Sequence, residues 1–181
     1  MAIYTKRGDK GETSMFDKEA SQRARVSKDS LRVEALGSID ELNSFLGIVK
    51  TSLEGKKPQK VAGEIQRNLL TIGSITAGSK LRFSSVQTKK LERLIDELEG
   101  KLPVLKNFIV PGGNLVSAQL QYSRALARRV ERRMVTLSKV EGIKPQILEY
   151  LNRLSDTLFM LAREVNTKAG IKDEIWRGKK K

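Results

Sequence analysis

The chain has four prolines, at positions 58, 103, 111 and 145, and all fall between stretches of helical apolar periodicity. Proline lacks the backbone donor that a helix interior needs, so this placement leaves long segments free to be helical. Five such segments are legible. In the first, over about 30–53, Leu31, Ala35, Ile39, Leu42, Phe45, Leu46, Val49 and Leu53 recur at helical spacings of three and four. Gly37 and Gly47 lie inside it; each costs about 1 kcal/mol against Ala, which predicts close packing on a neighbour. The second segment, about 58–79, carries Val61, Ile65, Leu69, Ile72 and Ile75. The third starts at Ser84 or Ser85 and ends near Gly100, residues suited to those ends. A loop, LPVLKNFIVPGGN over 102–114, feeds the fourth, about 115–140; the fifth covers about 145–169. No strand alternation longer than a few residues and no repeat stand out. The pattern predicts an all-α chain, a five-helix bundle over 30–170 with short antiparallel connections of the ferritin-like up-down kind. An N-terminal segment, 1–29, and a basic tail, 171–181, flank it; its final RGKKK is expected to be mobile.

At 181 residues the chain is one domain's worth. It contains no cysteine and no histidine. Disulfides, thiolate metal sites and a cysteine nucleophile are excluded, and so are the commonest zinc ligand and general base. Chemistry must rest on carboxylates, amines, guanidiniums, hydroxyls or a bound small molecule. The start, MAIYTKRGD, lacks the apolar core of a secretory leader, and no run approaches a membrane span; a cytoplasmic protein is expected. Lys and Arg number 35 against 21 Asp and Glu, a net charge of +14. Such an excess favours anionic partners. A charge-rich, heat-adapted surface would explain the number of charges but not their sign.

Some residues do not read as core. In SRALARRVERRMV, Arg124, Arg128, Glu131 and Arg132 follow one face of the fourth helix. A solvated face with i,i+4 pairs is one reading; a guanidinium ladder for a polyanion is the other. In the fifth helix Asn152, Arg153 and Asp156 interrupt an apolar pattern, as a satisfied core network or as the lining of a pocket. Asp40 lies beside the apolar stripe of the first helix and calls for an arginine partner, within the chain or across a subunit contact. At the N-terminus, IYTKRGDKGETSMF concentrates Thr5, Lys6, Arg7, Gly8, Asp9, Gly11, Thr13 and Ser14. Glycines expose backbone amides, hydroxyls donate and Lys adds charge, as a phosphate cradle requires. The Walker pattern is absent, and a disordered arm has the same composition.

Taken together and in order, YTKRGDKGETS at Tyr4, KDSLRVEALGSIDELNSFLG at Lys28, FIVPGG at Phe108, SRALARRVERR at Ser123 and YLNRLSDTLFMLAR at Tyr150 span nearly the whole chain. In this combination the chain resembles the trimeric, propanediol-utilisation type of ATP:cob(I)alamin adenosyltransferase. The resemblance implies a homotrimer with active sites between subunits. It implies that Thr5, Lys6, Arg7, Gly8, Asp9, Gly11, Thr13 and Ser14 form an ATP-binding loop, with Lys28 nearby. Arg128, Glu131 and Arg132 of the neighbouring subunit, and Asn152, would complete the nucleotide site. Asp40 and Arg124 match an intersubunit salt-bridge pair, and Phe108 the aromatic residue under the corrin ring. Gln121 stands where the family often has a histidine.

The implied reaction suits a chain without His or Cys, because the nucleophile is the substrate's Co(I), which attacks the 5′ carbon of ATP and releases triphosphate. The protein must position that carbon and stabilise charge on the leaving group. Mg²⁺ is expected mainly through ATP rather than through protein side chains. Phe108 would displace the lower axial cobalt ligand, making a four-coordinate Co(II) that is easier to reduce. A cobalamin reductase and an adenosylcobalamin-dependent enzyme are the implied partners. Two other readings remain on the residues: a basic helical module for nucleic acid, against which stand 5% aromatics and no recognised motif, and a nucleotide- and cobalamin-binding sensor or carrier without turnover.

Overall fold

The computed structural model describes residues 4–17 and 22–178. Five helices run in the expected order: α1 (Leu31–Ser52), α2 (Lys56–Thr76), α3 (Val86–Glu99), α4 (Leu115–Ser138) and α5 (Pro145–Lys168). Their starts have local causes. The Ser30 hydroxyl accepts from the Val33 amide, the Asn114 side chain accepts from the Val116 amide, and Pro145 occupies the first turn of α5.

Helices α4 and α5 pack side by side, α1 packs on α4, α2 on α1, and α3 on α5. Cross-helix pairs give the directions. Arg129 with Glu41, Arg133 with Glu34 and Arg32 with Glu141 run α1 antiparallel to α4. Lys57 with Glu97 and Lys90 with Glu64 run α2 antiparallel to α3. The stripes converge on one core in which Leu42, Leu69, Ile72, Leu120, Leu137 and Leu151 are fully enclosed. Each such side chain contributes about 1.5–3 kcal/mol of apolar burial. Tyr150 is buried among them; its hydroxyl accepts from Asn68 Nδ2 at 3.1 Å, and burial pushes its pKa upward.

Two expectations are corrected. The N-terminal segment contains a hairpin, β1 (Glu12–Asp17) and β2 (Gln22–Ser27), paired antiparallel with Thr13 opposite Val26 and Met15 opposite Ala24. The hairpin is docked: Met15 is buried, and a Cβ at Gly78, just past α2, would lie 2.5 Å from the Phe16 carbonyl oxygen. Gly78 also has φ +107°, a conformation only glycine adopts freely. Second, Gly37 has nothing within 4 Å of where its Cβ would be. It opens onto a surface depression with Glu34, Ser38, Glu41, Arg129 and Arg133, so packing does not account for it. Beyond α5 the chain turns back and pairs with the loop between α3 and α4 as far as Trp176. The last lysines of the expected tail, 179–181, lie outside the described residues. Among the described residues, no helix is long and apolar enough to cross a membrane.

Candidate active site

Helix α4 carries two kinds of arginine. Arg129 and Arg133 turn toward α1 and pair with Glu41 and Glu34. Arg128 and Arg132, one position earlier in each case, form no ion pair among the described residues, and both are exposed. The helical period of 3.6 places these two sets on different faces. Arg124 is half-buried, and its Nε donates to Gln121 Oε1 at 2.9 Å. Burial and the adjacent Arg128 push its pKa below the usual guanidinium value. It remains a cation, so this face of α4 is short of negative charge.

The rest of the ladder meets α5. Asn152 Nδ2 donates to Glu131 Oε1 at 2.8 Å, which holds that carboxylate beside the arginines. Arg153 donates to Glu92 at 3.3 Å and to Asp156 at 3.1 Å. Arg124, Arg128, Arg153, Asp156, Phe159 and Met160 are part of the lining of a groove of about 1030 Å³ between α3, α4 and α5. For Arg153 and Asp156 the pocket reading therefore describes the geometry better than a satisfied core network does.

Asp40 is exposed, next to the buried Ile39, and among the described residues of this chain it makes no pair with Arg124. The carboxylates that α1 gives to α4 are Glu34 and Glu41, seven residues apart on one face and about 100° round the helix from Asp40.

The glycine-rich N-terminal loop is closed by its own hairpin. Lys28 N donates to the Gly11 carbonyl at 2.8 Å, Lys28 Nζ to the Gly8 carbonyl at 3.0 Å, and Arg25 to the Arg7 carbonyl at 2.6 Å. Lys6 has φ 56°, which is uncommon outside glycine. Thr5, Lys6, Arg7, Asp9 and Gly11 are exposed. Thr13 and Ser14 fall on opposite faces of β1; the Ser14 hydroxyl accepts from Arg25, which also pairs with Glu12. No described hydrogen bond or ion pair joins this loop to Arg128, Glu131, Arg132 or Asn152.

Phe108 stands in the loop between α3 and α4 and is 82% exposed. Its neighbours are held firmly. Arg163 donates to the Pro103 carbonyl at 2.6 Å. Asn166 donates to the Gly112 carbonyl and accepts from the Asn114 amide. A Cβ at Gly113 would lie 2.5 Å from Asn166 Oδ1, and Gly113 has φ +95°. Midway, Val110 N donates to the Glu174 carbonyl and Trp176 N to the Phe108 carbonyl. Arg163, Asn166 and Asp173 were not singled out from the sequence. Their only signal there is the three-residue spacing of Arg163 and Asn166, which ordinary surface residues share.

The pattern of the cobalamin adenosyltransferase family matches residues 3–165. The chain belongs to that family. It is 41% identical to a corrinoid adenosyltransferase of Bacillus subtilis, over 96% of this chain and 91% of the relative. It is 36% identical to the human corrinoid adenosyltransferase MMAB, over 96% of this chain and 72% of the relative. Among solved structures it is similar to a phenylalanine-to-alanine variant of the PduO-type ATP:corrinoid adenosyltransferase from Lactobacillus reuteri, complexed with cobalamin and ATP. The TM-score is 0.90 at 33% identity, covering 98% of this chain and 100% of that one. An arginine-to-lysine variant of that enzyme, complexed with ATP, gives a TM-score of 0.88 at 34% identity over 97% of this chain and all of that one. The family membership makes this chain a transferase of adenosyl groups to a corrinoid.

Proposed function

We propose that the chain transfers the 5′-deoxyadenosyl group of ATP to the cobalt of cob(I)alamin at sites built between neighbouring copies in a homotrimer. The observation that carries this reading is the split among the α4 arginines. Arg129 and Arg133 are neutralised by α1, whereas Arg128 and Arg132 are left open beside the Glu131–Asn152 pair. Unpaired guanidiniums on a rigid helix suit a triphosphate. The loop of 5–11, Thr13, Ser14 and Lys28 would bring amides, hydroxyls and charge from another copy. That division fits the lack of any described hydrogen bond between loop and ladder within one chain. Asp40, exposed on α1, would then pair with Arg124 across the same contact and supply the charge that Arg124 lacks.

On this reading the Co(I) electron pair forms the bond to C5′ as the C5′–O bond breaks, and triphosphate leaves with the electron pair of that C5′–O bond. Arg128 and Arg132 would bind the departing phosphates, and Glu131, fixed by Asn152, would orient the nucleoside end. Mg²⁺ would arrive on the ATP phosphates; among the described residues no cluster of three or more acidic side chains offers it a cage. Phe108 would occupy the lower face of the corrin in place of the axial ligand. A reductase supplying Co(I), and an enzyme that uses adenosylcobalamin, are the partners this chemistry requires.

The test follows absorbance with chemically reduced cob(I)alamin, ATP and Mg²⁺. Adenosylcobalamin should form only with the protein present. Arg128→Ala should lower kcat/KM by about 10²-fold or more while assembly persists, as for loss of a leaving-group contact. Near-normal turnover by that variant would remove Arg128 from the site.

A further inference from the structure

The chain beyond α5 is where the structure adds most to the sequence. Arg163 is a buried arginine on α5, its side chain only 5% exposed and that of Asp173 only 15%. Its Nε donates to Asp173 Oδ2 at 2.8 Å, and its Nη2 donates to the Pro103 carbonyl at 2.6 Å. One guanidinium thus ties the start of the Phe108 loop to the segment that follows α5. That segment then runs antiparallel to the loop, with Ile175 opposite Ile109. Glu174 and Trp176 exchange backbone hydrogen bonds with Val110 and Phe108 at 2.8 and 2.9 Å. A planar guanidinium spans two such acceptors at fixed angles, which an ammonium does not.

We infer that Arg163 and Asp173 are positioning residues for the corrinoid half of the reaction, fastening residues 171–176 against the loop so that Phe108 is held at a fixed height. The inference rests on the reading that Phe108 faces the corrin. Removal of the clasp leaves the Phe108 side chain in place but frees the backbone that carries it. Misplacement by about 1 Å at a reacting centre can cost about 10²-fold. Within the chain the clasp shares no described hydrogen bond with the loop of 4–11 or with Arg128, Glu131 and Arg132, so its effect is expected on the corrinoid side.

The experiment compares Asp173→Ala, Phe108→Ala and the double variant in the full-length protein. It reads ATP KM, corrinoid KM and kcat, and the absorbance spectrum of bound cob(II)alamin with ATP. Asp173→Ala is expected to cut turnover by about tenfold and to reduce the four-coordinate Co(II) signature, with ATP KM within about twofold of the parent. The double variant should be no worse than Phe108→Ala, because the clasp acts through that residue. Arg163→Lys, which keeps the charge but not the fork, should fall between parent and Asp173→Ala. A parental spectrum and turnover for Asp173→Ala would overturn the inference. So would full additivity with Phe108→Ala, or a drop in ATP affinity matching the drop in turnover. If Phe108→Ala itself leaves the Co(II) spectrum unchanged, the corrin placement fails first, and the inference with it.

Discussion

Two exposed loops, one charged and one largely apolar, each with two glycines, are held in opposite ways. Residues 4–11 carry glycines, a threonine and basic residues, and among the described residues their bonds to the rest of the chain go to their own hairpin, through Lys28 and Arg25, which are themselves exposed. Residues 103–113 carry glycines too, with two prolines and an apolar run, and three separate anchors pin them. Arg163 takes the start, the segment at Glu174 and Trp176 takes the middle, and Asn166 takes the end. Two of those anchors are buried side chains of one helix. The difference matches two tasks. A loop that must fold over a ligand and release it is drawn from weakly held backbone. A residue that must meet a rigid macrocycle at one height needs a fixed support.

The sharpest way to break the comparison is at Gly113. Alanine there would meet Asn166 and a strained φ, so Gly113→Ala should destabilise by about 3 kcal/mol. A melting temperature lower by about 8 °C would show it. An unchanged melting temperature would mean that the anchored loop is as loose as the other. Deleting residues 1–11 leaves the hairpin intact, because β1 begins at Glu12. It should raise ATP KM about tenfold, about 1.4 kcal/mol, with the melting temperature within a degree or two. A collapse of stability instead would make that loop structural.

The helices were legible because prolines bracket them and their stripes persist over many turns. The hairpin was not, since its buried face amounts to little more than Met15 and the half-buried Thr13, Ala24 and Val26, too few residues to show alternation. The open arginines were legible as a ladder, but their separation from Arg129 and Arg133 was not. RRVERR is equally charged all round, and only the acids of α1 decide which members are neutralised. Asp40 was legible as a neighbour of the buried Ile39 and Leu42, but its exposure was not, because its own direction falls just off their stripe. The clasp was invisible because Arg163 and Asp173 are ten residues apart across a helix end. Their pairing depends on the turn at Gly170 and on the bridge that follows.

The central claim is that loop and ladder of one site come from different copies. It is tested most directly by mixing two impaired proteins, the 1–11 deletion and Arg128→Ala, co-refolded in equal amounts and assayed at ATP well below the parental KM. In a closed head-to-tail ring, about a quarter of the sites then join an intact loop to an intact α4, so about a quarter of parental turnover should return. Turnover no higher than the mean of the two variants alone would place both halves of the site in one chain and contradict the account.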